Sequence, residues 1–318
     1  MPQFSEQLAD RKRHAFPYLI LCLFMAVMVI AGCKPAEEAE QSATISTVPV
    51  AAALPADTTH LTAFNQLMHQ AASEKWFEQP LGITMTAVGQ WFEGQPYVAG
   101  SLDESPFEEL VIKLDGFDCV TFVESVLALS RVIQDQSYSY PEFVGYMEAQ
   151  RYRDGNIDGY CSRLHYFSEW IWDNEKRGAV ENVTQAIGGV VFDKQIDFMS
   201  QHRDSYAALK SDSLYAGIIA VEESLKDLTL YYIPQNEISN SYSKLQAGDI
   251  IALATDIGGL DVAHTGFVYK HEDGNAGLLH ASTAHGVIVS PDLQQYVENN
   301  KRQVGIVVAR PLNILDEE

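Results

Sequence analysis

The stretch Val111-Ile112-Lys113-Leu114-Asp115-Gly116-Phe117-Asp118-Cys119-Val120-Thr121-Phe122-Val123-Glu124-Ser125-Val126-Leu127-Ala128-Leu129 decides how the chain is read. Its first part is a β-rich apolar run that gives way to a turn at Gly116. Asp118 then stands where a helix N-cap belongs, because its carboxylate can accept from the N–H groups left unpaired in a first turn. Beyond it, Phe122, Val123, Val126, Leu127 and Ser130 recur at helical spacing with few charges between them, which predicts a buried helix. Cys119 falls at the N-terminus of that helix. There the unpaired N–H groups and the positive end of the helix dipole favour a thiolate, and the same groups can donate to an oxyanion. A disulfide cysteine needs no such placement, so position marks Cys119 as a candidate nucleophile.

Working outward to the N-terminus, Arg11, Lys12, Arg13 and His14 form a basic patch ahead of an apolar run from Phe16 to Ala31. A short basic region followed by roughly 7–15 apolar residues describes a secretory signal, and the run is short of the ~20 residues a membrane span needs. It ends in Ile30-Ala31-Gly32-Cys33, the pattern of a bacterial lipoprotein signal cut before a cysteine whose thiol takes a lipid. Lys34 and Pro35 follow, with no Asp after the cysteine, as in lipoproteins sent on to an outer membrane. Residues 1–32 therefore read as a signal peptide, and the mature chain is expected to start at a lipidated Cys33 outside the cytoplasm. Residues 33–57, rich in Pro, Ala, Glu, Ser and Thr, read as a flexible tether that cannot bury enough apolar surface to order. The remaining 58–318 shows no repeat and no second linker, so one domain is expected.

The formal charge of -22 disfavours a nucleic-acid partner, which needs clustered Lys and Arg. Of the four cysteines, Cys22 lies in the signal and Cys33 at the lipid site, which leaves Cys119 and Cys161 in the domain. In an oxidising compartment those two could simply form a disulfide.

A catalytic thiol needs a base, and that base needs a third group to fix its tautomer. Among nine histidines, His60, His69, His202 and His271 sit in polar contexts that read as surface. His264 and His280 differ. After Gln246-Ala247-Gly248-Asp249, the run Ile250-Ile251-Ala252-Leu253 reads as a buried strand, and strands follow at Leu260 to Tyr269, Ala276 to Ser282 and Gly286 to Ser290. On the second of these, Val262, His264 and Gly266 are expected to share one face. Joined through Asp273-Gly274, antiparallel neighbours can bring His264 and His280 side by side as a cross-strand pair.

The order of parts now resembles a known family: Asp-Cys opening a helix, Gly-Asp-Ile before a strand, His on the next strand, and His-Ala-Ser on the one after. It is similar to the NlpC-type superfamily of papain-like cell-wall cysteine peptidases. A closer match is the N-acetylmuramoyl-L-alanine amidase-like family, formerly a domain of unknown function. The blocks that carry the likeness are Gly116 to Glu124, Arg151-Tyr152-Arg153-Asp154-Gly155, Asp158 to Phe167, Tyr232-Ile233-Pro234, Gly259 to Gly266 and Leu279-His280-Ala281-Ser282. They span about residues 60 to 312.

The resemblance implies an α+β, papain-like fold, with the nucleophile helix packed on an antiparallel sheet and a helical insertion before the histidine strands. It implies Cys119 as nucleophile, His264 as general base and then acid, and His280 as the orienting third member. Cys161 becomes a residue of the insertion with no assigned role, and the disulfide reading recedes. Arg163 and His165 are candidates to hold a lactyl, acetamido or peptide group, with Asp118, Tyr152, Arg153, Tyr160, Ser162 and Asp261 as further substrate-binding candidates. Their competing reading is structural, as buried pairs that brace the insertion.

The expected activity is hydrolysis of the amide between N-acetylmuramic acid and L-Ala through a thioester, with peptidoglycan or its muropeptide fragments as partner and no metal or cofactor. Two other readings share the same residues: an endopeptidase cutting between D-Glu and the diamino acid, and a silent peptidoglycan-binding lipoprotein. Val120-Thr121, where the endopeptidase branch usually has Ser and Gly, favours the amidase.

Overall fold

The computed structural model describes residues 59–105 and 107–313. The expected signal peptide over 1–32, the lipidated Cys33 and the tether over 33–57 lie outside the described residues. The chain runs through α1 (Thr59–Ser73), α2 (Leu81–Trp91), α3 (Cys119–Gln134), α4 (Tyr140–Arg151) and α5 (Phe167–Lys176). Two short strands follow, β1 (Val180–Asn182) and β2 (Val190–Val191), then α6 (Phe198–Gln201), α7 (Asp212–Ser224) and β3 (Tyr231–Pro234). The last third is mainly strand: β4 (Ile250–Thr255), β5 (Val262–Lys270), β6 (Ala276–Ser282), β7 (Gly286–Ser290), then α8 (Leu293–Glu298) and β8 (Gln303–Pro311).

Among the described residues these strands make one antiparallel sheet in the order β2-β3-β8-β4-β5-β6-β7, with β1 also on β8. The architecture is thus mixed α and β with an antiparallel sheet, and α4 to α7 fill the expected insertion between the cysteine helix and the histidine strands. The four histidine-region strands lie where the sequence places them. The short β1 and β2 carry no alternating pattern long enough to be read. The Val111 region differs from expectation: it joins no strand, and the Val111 carbonyl instead accepts from the Arg151 guanidinium at 2.5 Å.

Strand β4 is buried along its whole length because both faces of the sheet are covered. One face, with Ile250, Ala252, Phe267 and Leu279, packs on α3, whose Phe122 ring meets Phe267 edge-on with centroids 5.7 Å apart. The other, with Ile251, Leu253, Val268 and Leu278, is covered by a 3-10 segment at Gln235–Ser241 and by Leu293 and Val297 of α8. This is why the run reads as continuously apolar. A third, smaller core of Tyr160, Tyr166, Ile196, Met199, Leu209, Ile218, Val221 and Leu225 sits inside the insertion.

Pairing along β5 corrects the expected alternation. His264 stands opposite Leu253, but Val262 stands opposite Ala254, so Ala263 is an extra residue in a β-bulge. The bulge turns Val262 toward the α3 face, where it packs on the larger core, while His264 keeps the opposite face with Leu253. The three residues expected to share a face are therefore divided.

Candidate active site

Cys119 is the first residue of α3, and the cap before it is complete. Asp118 Oδ1 accepts from the Thr121 N–H at 2.7 Å, and Thr121 Oγ1 accepts from the Asp118 N–H at 3.0 Å. This reciprocal box fixes where the helix starts and hence where the thiol sits. The Cys119 carbonyl accepts from Thr265 Oγ1 at 2.9 Å, which fastens the helix tip to β5 beside His264.

The charge state of the thiol departs from the sequence expectation. Burial, with the Asp118 carboxylate acting in the same sense, pushes the Cys119 thiol up to about 11, against the lowering expected at a helix tip. The helix dipole is outweighed by loss of solvent and by the capping anion next door. Cys119 rests as a thiol. Burial likewise holds His264 down at about 4, so its imidazole rests neutral and is able to accept a proton.

His264 and His280 meet, though not as direct partners. The ladder between β5 and β6 pairs Phe267 with Leu279 and continues to Lys270 with Ala276. Extending that register sets Gly266, not His264, opposite His280, so the two histidines are diagonal neighbours. Their rings are perpendicular, and His264 Nε2 lies 2.7 Å from His280 Nδ1. Gly266 makes this approach possible, since a Cβ there would stand 2.8 Å from His280 Cβ and 2.7 Å from the Leu279 carbonyl oxygen. His280 is buried and held down at about 3 by that burial and by the neighbouring His264. Its Nε2 lies 3.1 Å from Ser290 Oγ on β7.

Cys119 and His264 line one cavity of about 310 Å³, together with Asp118, Tyr160, Arg163, His165 and Asp261 from the sequence-derived candidates. The cavity adjoins a second of about 780 Å³ and shares Leu102, Asp103, Tyr160 and Tyr206 with it. Arg163 is buried, reaches Asp103 at 2.6 Å and the Leu102 carbonyl at 3.1 Å, and lies over the Tyr160 ring. His165 donates from Nε2 to the Tyr160 carbonyl at 2.9 Å, and burial followed by the Arg163 charge holds it down at about 3. Asp261 is fully buried, and its Oδ2 accepts from the Ser168 N–H in the first turn of α5 at 2.7 Å.

Tyr152, Arg153 and Ser162, also expected to meet substrate, do not line this cavity. The Tyr152 hydroxyl donates to Glu108 at 2.9 Å, and the Arg153 guanidinium holds Glu169 and the Cys161 carbonyl. Ser162 Oγ closes its own turn onto the Gly159 carbonyl at 2.7 Å. These three brace the insertion. Cys119 and Cys161 are both free thiols.

Two residues that sequence reasoning missed complete the surroundings. Tyr97 and Tyr296 both lie within electrostatic reach of Cys119, and burial foremost lifts each phenol to about 12, so both keep their protons. The Tyr296 ring also packs against His264 and His280, with centroids 6.0 and 4.7 Å away. Neither lies in a recognisable motif. Tyr97 comes from a loop bridged to Phe117, and Tyr296 from the helix after β7. Glu124 and Arg151, a buried pair 2.7 Å apart, also line the cavity.

The sequence model of the AmiA-like family, described as N-acetylmuramoyl-L-alanine amidase-like, matches residues 87–306. No curated protein matches the chain. A crystal structure of an N-acetylmuramoyl-L-alanine amidase from Bacteroides uniformis is 36% identical, covering 73% of this chain and 98% of that one, with a TM-score of 0.69. A Bacteroides fragilis protein named as a candidate xylanase is also 36% identical over 70% of this chain and 99% of its own, with a TM-score of 0.67. A Legionella pneumophila protein at 21% identity, covering 79% and 94%, shares the fold with a TM-score of 0.61.

Proposed function

The chain belongs to the N-acetylmuramoyl-L-alanine amidase-like family, and from that premise we propose that it is a peptidoglycan hydrolase that cleaves the N-acetylmuramoyl–L-Ala amide with Cys119 as nucleophile. One observation carries the reading. Cys119 opens a capped helix onto the same cavity as His264, whose Nε2 is engaged by His280 at 2.7 Å. That leaves His264 Nδ1 as the nitrogen free to serve the thiol.

In this mechanism His264 takes the proton from Cys119 as Sγ attacks the lactyl carbonyl carbon. The proton moves with the attack, because a thiol at about 11 beside an imidazole at about 4 does not ionise beforehand. The oxyanion is received by N–H groups at the tip of α3 and by the phenol hydroxyls of Tyr97 and Tyr296, which are kept protonated beside the thiol. Collapse breaks the C–N bond, and His264 delivers the proton to the departing L-Ala nitrogen. Water, deprotonated by His264, then opens the thioester, releasing the lactyl carboxylate and restoring the thiol.

The cavity gives a carbohydrase reading little to work with, since glycoside hydrolysis needs two carboxylates poised across a bond. Here Asp103 is held by Arg163, Asp118 by Thr121, Glu124 by Arg151 and Asp261 by the Ser168 N–H. The N-terminal reading completes the proposal: a mature protein anchored by lipid at Cys33 and facing the periplasm from the outer membrane. Incubation with defined muropeptides followed by mass spectrometry tests the bond. Release of the intact stem peptide headed by L-Ala is expected, whereas a cut after D-Glu would reassign the enzyme as an endopeptidase.

A further inference from the structure

The His264–His280 contact has one proton to share between the two facing nitrogens, and its position decides whether the site works. In one arrangement His264 Nε2–H donates to His280 Nδ1. His264 Nδ1 then carries the lone pair, which the reaction needs for the Cys119 proton, and His280 must bear its own proton on Nε2. In the other, His280 Nδ1–H donates to His264 Nε2. His264 is then protonated on Nδ1 and cannot take the Cys119 proton. When His264 becomes an imidazolium both its nitrogens carry protons, and only the first arrangement survives.

His280 Nε2 is not left to solvent. His280 is 1% exposed, and the Nε2 faces Ser290 Oγ at 3.1 Å across the pairing of β6 with β7, in which His280 itself stands opposite Ile288. The groups around His280 are His264 from β5, Ser290 from β7 and the Tyr296 ring from α8. Tyr296 keeps its proton, so no carboxylate or cation among these neighbours sets the tautomer. Ser290 Oγ is the acceptor that the working arrangement requires at its far end.

We propose that Ser290 is a positioning residue: by accepting the His280 Nε2 proton it keeps His280 Nδ1 an acceptor and so keeps Nδ1 the basic nitrogen of His264. This rests on the reading of Cys119 and His264 as nucleophile and base. Ser290 touches neither substrate nor thiol in that scheme. It acts at the end of a chain of three side chains on three successive strands, β5, β6 and β7. Removing it orphans a buried N–H in the working arrangement alone, and so tips the shared proton toward the idle one.

The test uses Ser290→Ala, Ser290→Thr and Ser290→Asp in the full chain, read in two ways. The first is ¹⁵N NMR of histidine-labelled protein, which reports the tautomer without any substrate. Wild type and Ser290→Thr are expected to hold both His264 and His280 as Nε2–H tautomers, and Ser290→Ala to show a mixture at His264. The second is the pH profile of muropeptide hydrolysis. Ser290→Ala is expected to lower kcat about tenfold with KM unchanged, which corresponds to the cost of one buried unpaired donor. Its acid limb should move to lower pH, and that of Ser290→Asp to higher pH, because a carboxylate stabilises the imidazolium through His280. Circular dichroism of each variant confirms that it folds. An Nδ1–H tautomer at His280 in the wild type overturns the proposal. So does a Ser290→Ala protein with unchanged tautomers and an unmoved acid limb, whatever its stability. If the tautomers respond as expected and no muropeptide is cut, the positioning role stands and the assigned reaction falls.

Discussion

Two parts of the molecule meet at the cavity, and they are built on different principles. The strands from Ile250 to Ser290 are held by ladder hydrogen bonds, with β4 buried on both faces, and they carry the two histidines at fixed register. The insertion, α4 to α7, has short helices and turns, packs Phe167, Trp170 and Ile171 into the larger core and gathers the rest around a small core of its own. Charged pairs close it: Arg153 to Glu169, Arg163 to Asp103 and Arg177 to Asp173. The strand region thus places reacting atoms, where small errors are costly. The insertion provides a wall, and its arginines act more by tying loops together than by meeting solvent. The difference teaches where specificity and chemistry are separable: changes in the first region should fall on kcat, and changes in the second on KM.

The strongest way to break this division is to remove the thiol. Cys119→Ala should abolish hydrolysis, by at least about a thousandfold, with the melting temperature little changed. Residual activity near wild type, measured by product mass spectrometry, would end the nucleophile assignment. Gly266→Ala comes next. Its Cβ would press on the Leu279 carbonyl and on His280, so we expect a loss of about 1–3 kcal/mol in denaturant unfolding and a fall in kcat from a displaced histidine pair. A neutral outcome would mean that the strands yield more readily than their burial implies.

Arg163→Met sharpens the other side. It releases Asp103 and the loop at Leu102, and KM should rise roughly threefold to tenfold while kcat holds. A selective fall in kcat would instead move Arg163 among the groups that serve the reacting atoms. The smallest effect is titrational. His264, His280 and His165 lie at about 4, 3 and 3, below the ~6.5 of an unfolded chain. The folded protein therefore withholds protons that the unfolded chain binds. The stability these three contribute is present above about 6.5 and is lost as pH falls through about 4 to 3. Their imidazole resonances should keep neutral shifts to about pH 5, and Cys119 alkylation should climb steadily toward pH 11. A thiolate already fully reactive at pH 5 would show an ion pair in place of two neutral groups.

Much of this was legible in the sequence, for physical reasons that differ by residue. Asp118 and Cys119 could be read because a helix start has a local grammar: an N-cap followed by apolar residues at helical spacing. The strands around His264 and His280 could be read because continuous burial demands continuous apolar residues. The face of Val262 could not, since the bulge at Ala263 changes the alternation without any glycine or proline to announce it. Tyr97 and Tyr296 could not, since each reaches Cys119 from a different part of the chain. Tyr152, Arg153 and Ser162 belonged to a recognisable block, but a block shows which residues go together and not which of them face a cavity. The protonated state of Cys119 was hidden for a similar reason: the carboxylate that caps its helix also stands beside it.

The bulge at Ala263 also sets a length. On its N-terminal side Asp261 holds the first turn of α5, and on its C-terminal side His264 meets His280. The four residues from Asp261 to His264 thus join the wall of the cavity to its base. The odd residue lets both attachments be made at once, because Val262 can pack on the larger core while His264 stays against His280. Loss of one residue here would restore a regular strand and force a choice between them, with either the insertion adrift or the base on the wrong side of the sheet. The joint works as a spacer, cut to the distance between what holds a substrate and what acts on it.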